Sequence, residues 1–231
     1  ACSHFSSDSW SIRNSALMCF AALTKRLLNT TDVQSQDLSR KKGLSIWEFV
    51  HRYKDLAEYF KQVLRDCSAA KKLSKEQQER TDMVVFSVLL LISRLVPSFQ
   101  LVDSEKEGEL TDIVQGASRE KSIREFVDLI KAFSKSGTYF VRKISAQALL
   151  PIIRYDEYCK EIEASLSAVA KKLGNPQAKL RQNEAHGLMA RANELTVAYF
   201  RYKDLELQVT TRTPEEESKY RTEEMQRLKS A

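Results

Sequence analysis

The sequence predicts an all-α fold, and three observations carry that expectation. Six glycines and four prolines in 231 residues are too few for a turn-rich β architecture. The apolar segments have helical length and helical spacing, recurring three and four positions apart. A local pattern, an arginine beside an apolar position and shortly before a small residue, appears at Arg13, Arg142 and Arg181, separated by 129 and 39 residues. One interval is a single period, and the other is three, of a repeat close to the roughly 40–47 residues of HEAT and armadillo units. The expected architecture is an α-solenoid of HEAT/armadillo-like helix pairs over residues 1–207, part of a larger repeat protein. A charged C-terminal tail or terminal helix is expected at 208–231, where 212–231 hold five basic and five acidic side chains.

Taken in order, Asp8 or Ser9 is suited to cap a first helix over 9–28, because its side-chain oxygen can accept an unpaired backbone N–H of the first turn. Trp10, Ile12, Ala16, Leu17, Phe20, Leu23, Leu27 and Leu28 give that helix a wide apolar face. Residues 29–44 are polar and aperiodic and read as a loop. Ser45 with Glu48 three residues on is a capping box, opening a segment anchored by Trp47, Phe49 and Val50. It continues to about Leu73 with a break near Tyr53. From Asp82 to Val96, eleven of fifteen residues are apolar. That run is too short to span a bilayer, which takes about 20 residues, so it predicts a helix buried between neighbours and stopped by Pro97. Residues 102–120, with six acidic against two basic side chains, read as a loop. Helices are then expected over 123–133, 138–154 (kinked or ended by Pro151), 156–173 and 179–207, with stop signals at Gly137 and at Gly174-Asn175-Pro176.

No catalytic constellation is visible. His4, His51 and His186 lie far apart without metal-ligand spacing, and His186 reads as a core or inter-helix histidine. Phosphate-cradling and nucleophile-elbow glycine motifs are missing, so no cofactor and no small-molecule substrate are expected. Cys2, Cys19, Cys67 and Cys159 form no C-x-x-C pair, and Cys19 falls in an apolar helical run, where a buried thiol is expected. No basic-then-apolar leader pattern opens the sequence. A reduced, cytoplasmic protein is the resulting expectation.

Charge is more informative. The net charge is +6, but residues 25–80 hold thirteen basic against eight acidic side chains, while 81–120 hold three against seven. The basic block includes Lys25, Arg26, Arg40, Lys41 and Lys42. A positive surface of this kind attracts a phosphate backbone without reading its sequence. The same residues could simply solvate a helix end. For Arg13, Arg142 and Arg181 two readings also stand: contacts along the helix stack, to an acidic side chain or a helix C-terminal carbonyl, or exposure on a concave binding face.

The segment from Asp8 to Arg26 resembles a characteristic stretch of the THADA (thyroid adenoma-associated protein) family. Four further blocks are similar in the same order: Glu48-Phe49 with the helix after it, Leu90-Leu-Ile-Ser-Arg-Leu-Val-Pro-Ser98, Ala146-Gln-Ala-Leu-Leu-Pro-Ile152 and Leu180-Arg-Gln-Asn-Glu-Ala-His-Gly187. The family's arginine-rich motif, expected just upstream, is not among these residues, and its members are far longer. The resemblance implies a non-catalytic regulatory subunit that holds tRNA and the catalytic subunit of a tRNA 2′-O-methyltransferase, with position 32 of the anticodon loop as the family's target. The alternative is a general HEAT/armadillo interaction scaffold with no RNA role. No membrane partner is expected.

Overall fold

The computed structural model describes residue 4 and residues 7–28, 44–70, 74–96, 113–173 and 181–210. Among them every regular element is a helix, and the fold is an all-α helical repeat. The chain divides into two compact units, Ala1–Thr196 and Val197–Ala231. Of the second, the described part is the helical stretch Val197–Thr210, in which the Tyr199 and Phe200 rings meet edge-on at 5.8 Å. The expectations for 29–43, 102–112 and the tail beyond Thr210, with Cys2 and the Pro97 and Gly174–Pro176 stop signals, lie outside the described residues.

Helix α1 spans Trp10–Leu28 and α2 spans Ile46–Arg52. The expected capping box opens α2: Ser45 Oγ accepts the Glu48 N–H at 3.1 Å, and the Glu48 carboxylate accepts the Ser45 N–H at 3.1 Å. Tyr53, at φ −124° and ψ 53°, interrupts the helical path before α3, Lys54–Ala69. Helix α4 spans Lys75–Ser93 and begins well before the apolar run that announces it. A second capping box explains the early start, since Ser74 Oγ accepts the Gln77 N–H at 3.2 Å and Gln77 Oε1 accepts the Ser74 N–H at 3.0 Å.

Helix α5, Ile113–Ala132, occupies the second half of the segment read as an acidic loop. Glycine and clustered charge argued for a loop there, but neither forbids a helix once its later turns supply buried Ile123, Phe126 and Ile130. A 3-10 turn, Phe133–Lys135, leads to α6, Tyr139–Leu149. Pro151 lies in the turn that ends α6, because a proline ring cannot be accommodated in a helix interior. A 3-10 turn, Tyr155–Glu157, precedes α7, Tyr158–Leu173, and α8 follows as Gln182–Thr210.

Four helices close on one another: α3 packs on α4, α4 on α6, α6 on α5 and α5 on α3, with α4–α6 the most extensive pairing. Their inward side chains form the core, among them Phe60, Leu64, Val85, Val88, Leu89, Ile92, Phe126, Ile130 and Leu149. At about 25 cal/mol per Å² of apolar surface, this burial is what holds the ring closed. A polar tie supplements it: buried Lys61 of α3 donates to Ser122 Oγ at 2.9 Å and pairs with Glu58 and with Glu125 of α5. Arg65, one turn on, also pairs with Glu125. Helix α8 reaches the 3-10 turn at Gly187, where an added Cβ would lie 1.9 Å from the Ser134 carbonyl oxygen.

Three expectations need correction. Cys19 is exposed rather than buried, on the outward side of α1 from Ala16 and Phe20. Trp10 and Trp47, read as packing residues, are 69% and 42% exposed. Leu90, within the run expected to be buried between neighbours, is only half-buried.

This packing sets the cost of two substitutions. Leu89→Asp should cost about 3–5 kcal/mol in chemical unfolding, with Leu90→Asp distinctly milder, since only the first places a carboxylate in a dry site. Gly187→Ala should destabilise, although Ala favours a helix by about 1 kcal/mol over Gly at an unconstrained position. A raised melting temperature for Gly187→Ala would contradict the close approach to Ser134.

Candidate functional site

The basic residues are placed unevenly. Lys25 and Arg26 are exposed in the last turn of α1, where cations are favoured by the helix dipole. Arg40, Lys41 and Lys42 lie outside the described residues. Among the described residues, no three His, Cys, Asp or Glu side chains cluster to hold a metal ion. No described helix is long and apolar enough to cross a membrane. Cys67 is half-buried, and burial pushes its thiol up to about 11, away from thiolate reactivity.

Two of the three repeat arginines occupy one and the same local structure. Arg13 is the fourth residue of α1, and Arg142 is the fourth residue of α6. Arg13 Nη1 donates to the carbonyls of Ser7 (2.7 Å) and Asp8 (3.0 Å). Arg142 Nη1 donates to those of Ser136 (2.7 Å) and Gly137 (2.9 Å), six and five residues back in both cases. The Ser7 hydroxyl accepts the Ser9 N–H, as the Ser136 hydroxyl accepts the Thr138 N–H. The side chain reaches these carbonyls because helical side chains slant toward the N-terminus. A cation beside a helix start opposes the dipole by roughly 0.3–1 kcal/mol. Hydrogen bonds from a charged donor contribute about 1.5–3 kcal/mol each, so the arrangement is net stabilising. Arg181 differs: it is exposed, stands just before α8, and its carbonyl accepts the Ala185 N–H at 3.0 Å.

Arg142 does more than Arg13. It is buried, and its Nε donates to Nδ1 of His186 on α8 at 3.2 Å. The Tyr139 ring meets His186 edge-on at 5.2 Å. One turn along α8 from Gly187, buried Arg191 donates from Nη2 to Ser134 Oγ at 2.6 Å. Burial holds the Arg191 guanidinium below its ordinary pKa, with Glu161 the opposing influence. Lys172 and Lys135 hydrogen-bond and pair with Glu184, whose carboxyl is held below the usual carboxylate range by Lys172 first.

The two arginine-held helix starts border one groove. Ser7, Asp8 and Arg13 lie on one side of it, Thr138, Phe140 and Val141 on the other, and α4 runs between them. Asp8 is paired with Arg80 of α4, and Asp82 of α4 accepts from Thr138 Oγ1 and from Gln78 Nε2 (2.8 Å). Of the α4 residues at this groove, Glu76, Glu79 and Arg80 escaped sequence reading, which started the helix at Asp82. The Ser74/Gln77 capping pair was the available signal.

A family model described as the C-terminal TPR repeats of Trm732 matches residues 13–195, opening on Arg13 and including Arg142. The chain belongs to this family. The family's repeats are described as TPR, a helix-pair unit of about 34 residues, whereas the arginine spacing predicts HEAT/armadillo units of roughly 40–47 residues. Curated relatives are named tRNA (32-2′-O)-methyltransferase regulator THADA. The protein of Canis lupus familiaris is 26% identical over 197 residues, that of Mus musculus 26% over 196, and that of Homo sapiens 25% over 195. In each case the match covers 84% of this chain and 9% of the relative's length. No solved structure matches.

For this Trm732-family repeat, Arg142→Met should cost about 2–4 kcal/mol by urea unfolding, since it strands two carbonyls and the His186 acceptor. Arg13→Met, at a half-buried site with two partners, should cost about 1–2 kcal/mol. Arg142→Lys should recover only part of the loss, because an ammonium lacks the fork that reaches all three acceptors. Equal effects at the two positions would show that the tie to α8 contributes nothing.

Proposed function

We propose that this chain is part of a non-catalytic regulatory subunit that holds tRNA and a tRNA 2′-O-methyltransferase in register in the cytoplasm. The partner enzyme then methylates the ribose 2′-OH of nucleotide 32 in the anticodon loop. The observation that carries this reading is the membership in the Trm732 C-terminal repeat family, together with relatives named as regulators of that methyltransferase. A scaffold of this kind acts by positioning: it turns a poorly oriented encounter of enzyme and nucleotide into a productive one. The exposed pair Lys25 and Arg26 at the end of α1 supports a phosphate contact there. Arg40, Lys41 and Lys42 extend the same basic stretch in sequence.

The test is charge reversal in the full-length protein. Changing Lys25, Arg26, Arg40, Lys41 and Lys42 to Glu should weaken tRNA binding and lower ribose methylation while the methyltransferase still co-purifies. For every phosphate that these side chains neutralise, the log–log salt slope of tRNA binding should fall by about 0.7–0.9. Unchanged tRNA affinity with unchanged methylation would remove these residues from the mechanism. Loss of co-purification would instead place them at the protein partner.

A further inference from the structure

The groove between the α1 and α6 starts has a chemistry unlike that of the basic stretch. We propose that it is a docking site for a basic amphipathic helix of a partner protein. The groove encloses about 660 Å³. Its central element, α4, presents Glu76, Glu79, Met83 and Phe86 to it, at intervals of three, four and three residues. That is the seam along which one helix receives another. At 1.5 Å per residue the seam runs for about 15 Å, close to three helical turns.

Two features of the seam call for an occupant. Met83 is 53% exposed, and Phe140, on the facing wall, is 66% exposed. Two large apolar side chains left in water at one groove mark an interaction surface more than a solvated one. The charges set the sign of the occupant. Asp8 is engaged by Arg80, and Asp82 by Thr138 and Gln78. Glu76 and Glu79 are exposed, and their side chains have no hydrogen-bond or ion-pair partner among the described residues. The lining as a whole holds four carboxylates against two guanidiniums, and one of these, Arg13, is turned to backbone carbonyls. A phosphate backbone is repelled by such a rim, whereas lysines or arginines beside an apolar stripe match it in both sign and spacing. The basic end of the helix lies at Glu76 and Glu79, and its apolar stripe at Met83, Phe86 and Phe140. This assignment does not depend on the tRNA role of the chain.

The experiment measures fluorescence anisotropy of labelled synthetic peptides with the 231-residue chain. The probes are an amphipathic Lys/Leu helix of about 14 residues, enough for the seam, its scrambled counterpart, and a version with Glu for every Lys. The amphipathic Lys/Leu peptide should bind saturably and the other two should not. Glu76→Lys with Glu79→Lys should weaken it about tenfold or more, and Met83→Ala with Phe140→Ala by a similar factor. All four side chains are exposed, so melting temperatures should stay near that of the parent. The milder Glu76→Gln with Glu79→Gln pair gives the same reading if the reversal unfolds the chain. Equal binding of the scrambled peptide overturns the proposal, as does indifference to both pairs of substitutions. Displacement of the peptide by an anticodon stem-loop, with RNA binding lost in the same variants, would make the groove an RNA site and also overturn it. Because no methyltransferase or tRNA enters the primary measurement, peptide binding can hold where the tRNA role fails, and the reverse.

Discussion

The arrangement of the first unit depends on six residues, 133–138, and on the guanidinium that holds them. Arg142 pins the carbonyls of Ser136 and Gly137 and reaches His186, so one buried cation joins the start of α6 to α8. The same short stretch offers Ser134 to Gly187 and Arg191, and Thr138 to Asp82 of α4. Ser136 is half-buried, and leaving a part-buried acceptor unpaired costs about as much as the bond contributes. With Arg142 of α6 on two of its carbonyls, Arg191 of α8 on the Ser134 hydroxyl and Asp82 of α4 on the Thr138 hydroxyl, side chains from three helices make the turn a junction rather than a loop.

Around that junction the structure separates two kinds of adhesion. The α3–α4–α6–α5 ring is held by apolar burial, which is non-directional and tolerates small shifts. Lys61, Arg65 and Glu125 add direction where α3 meets α5, and the Arg65 hydrogen bond is the leading cause that holds the Glu125 carboxyl below its ordinary range. Arg65 and Glu125 are both more than a third exposed, so solvent screening keeps their share of the stability small. The stretch of α8 up to Thr196 buries Ala192 and Leu195 as well, but adds the polar ties of His186 and Arg191 and the close approach of Gly187, which fix its distance and rotation.

Much of this was legible in the residues. The period-3.6 apolar pattern marked the helices, and Ser45 with Glu48 marked the start of α2 to the residue. Arg13 and Arg142 stand out in the sequence as stacking or concave-face residues, but the structure shows a geometry that neither reading named. Each guanidinium donates to the carbonyls six and five residues back, Arg142 alone also reaches His186, and Arg181 shares the interval without the geometry. What failed has physical causes. The start of α4 was hidden because its first turns, Lys75–Arg80, are polar and depend on a cap and on neighbours rather than on an apolar stripe. The 113–120 stretch was read by composition, which cannot see the turns that follow. Exposure of Cys19, Trp10 and Trp47 is a question of which side of a helix finds a neighbour, and periodicity marks the faces without naming the occupied one. The groove was illegible for the same reason, being assembled from three segments far apart in sequence.

The missing Cβ at Gly187 acts as a phase reference for the helix that carries it. A residue inserted between Gln182 and Gly187 would turn every following position by about 100°. The neighbour then presented to Ser134 would carry a side chain, and Arg191 would swing off its serine. The stretch of α8 up to Thr196 therefore tolerates changes of side-chain identity on its outer face far better than changes of length at its start. Among related chains, this predicts that variation ahead of Gly187 is absorbed before Gln182 and not within the first turn of α8.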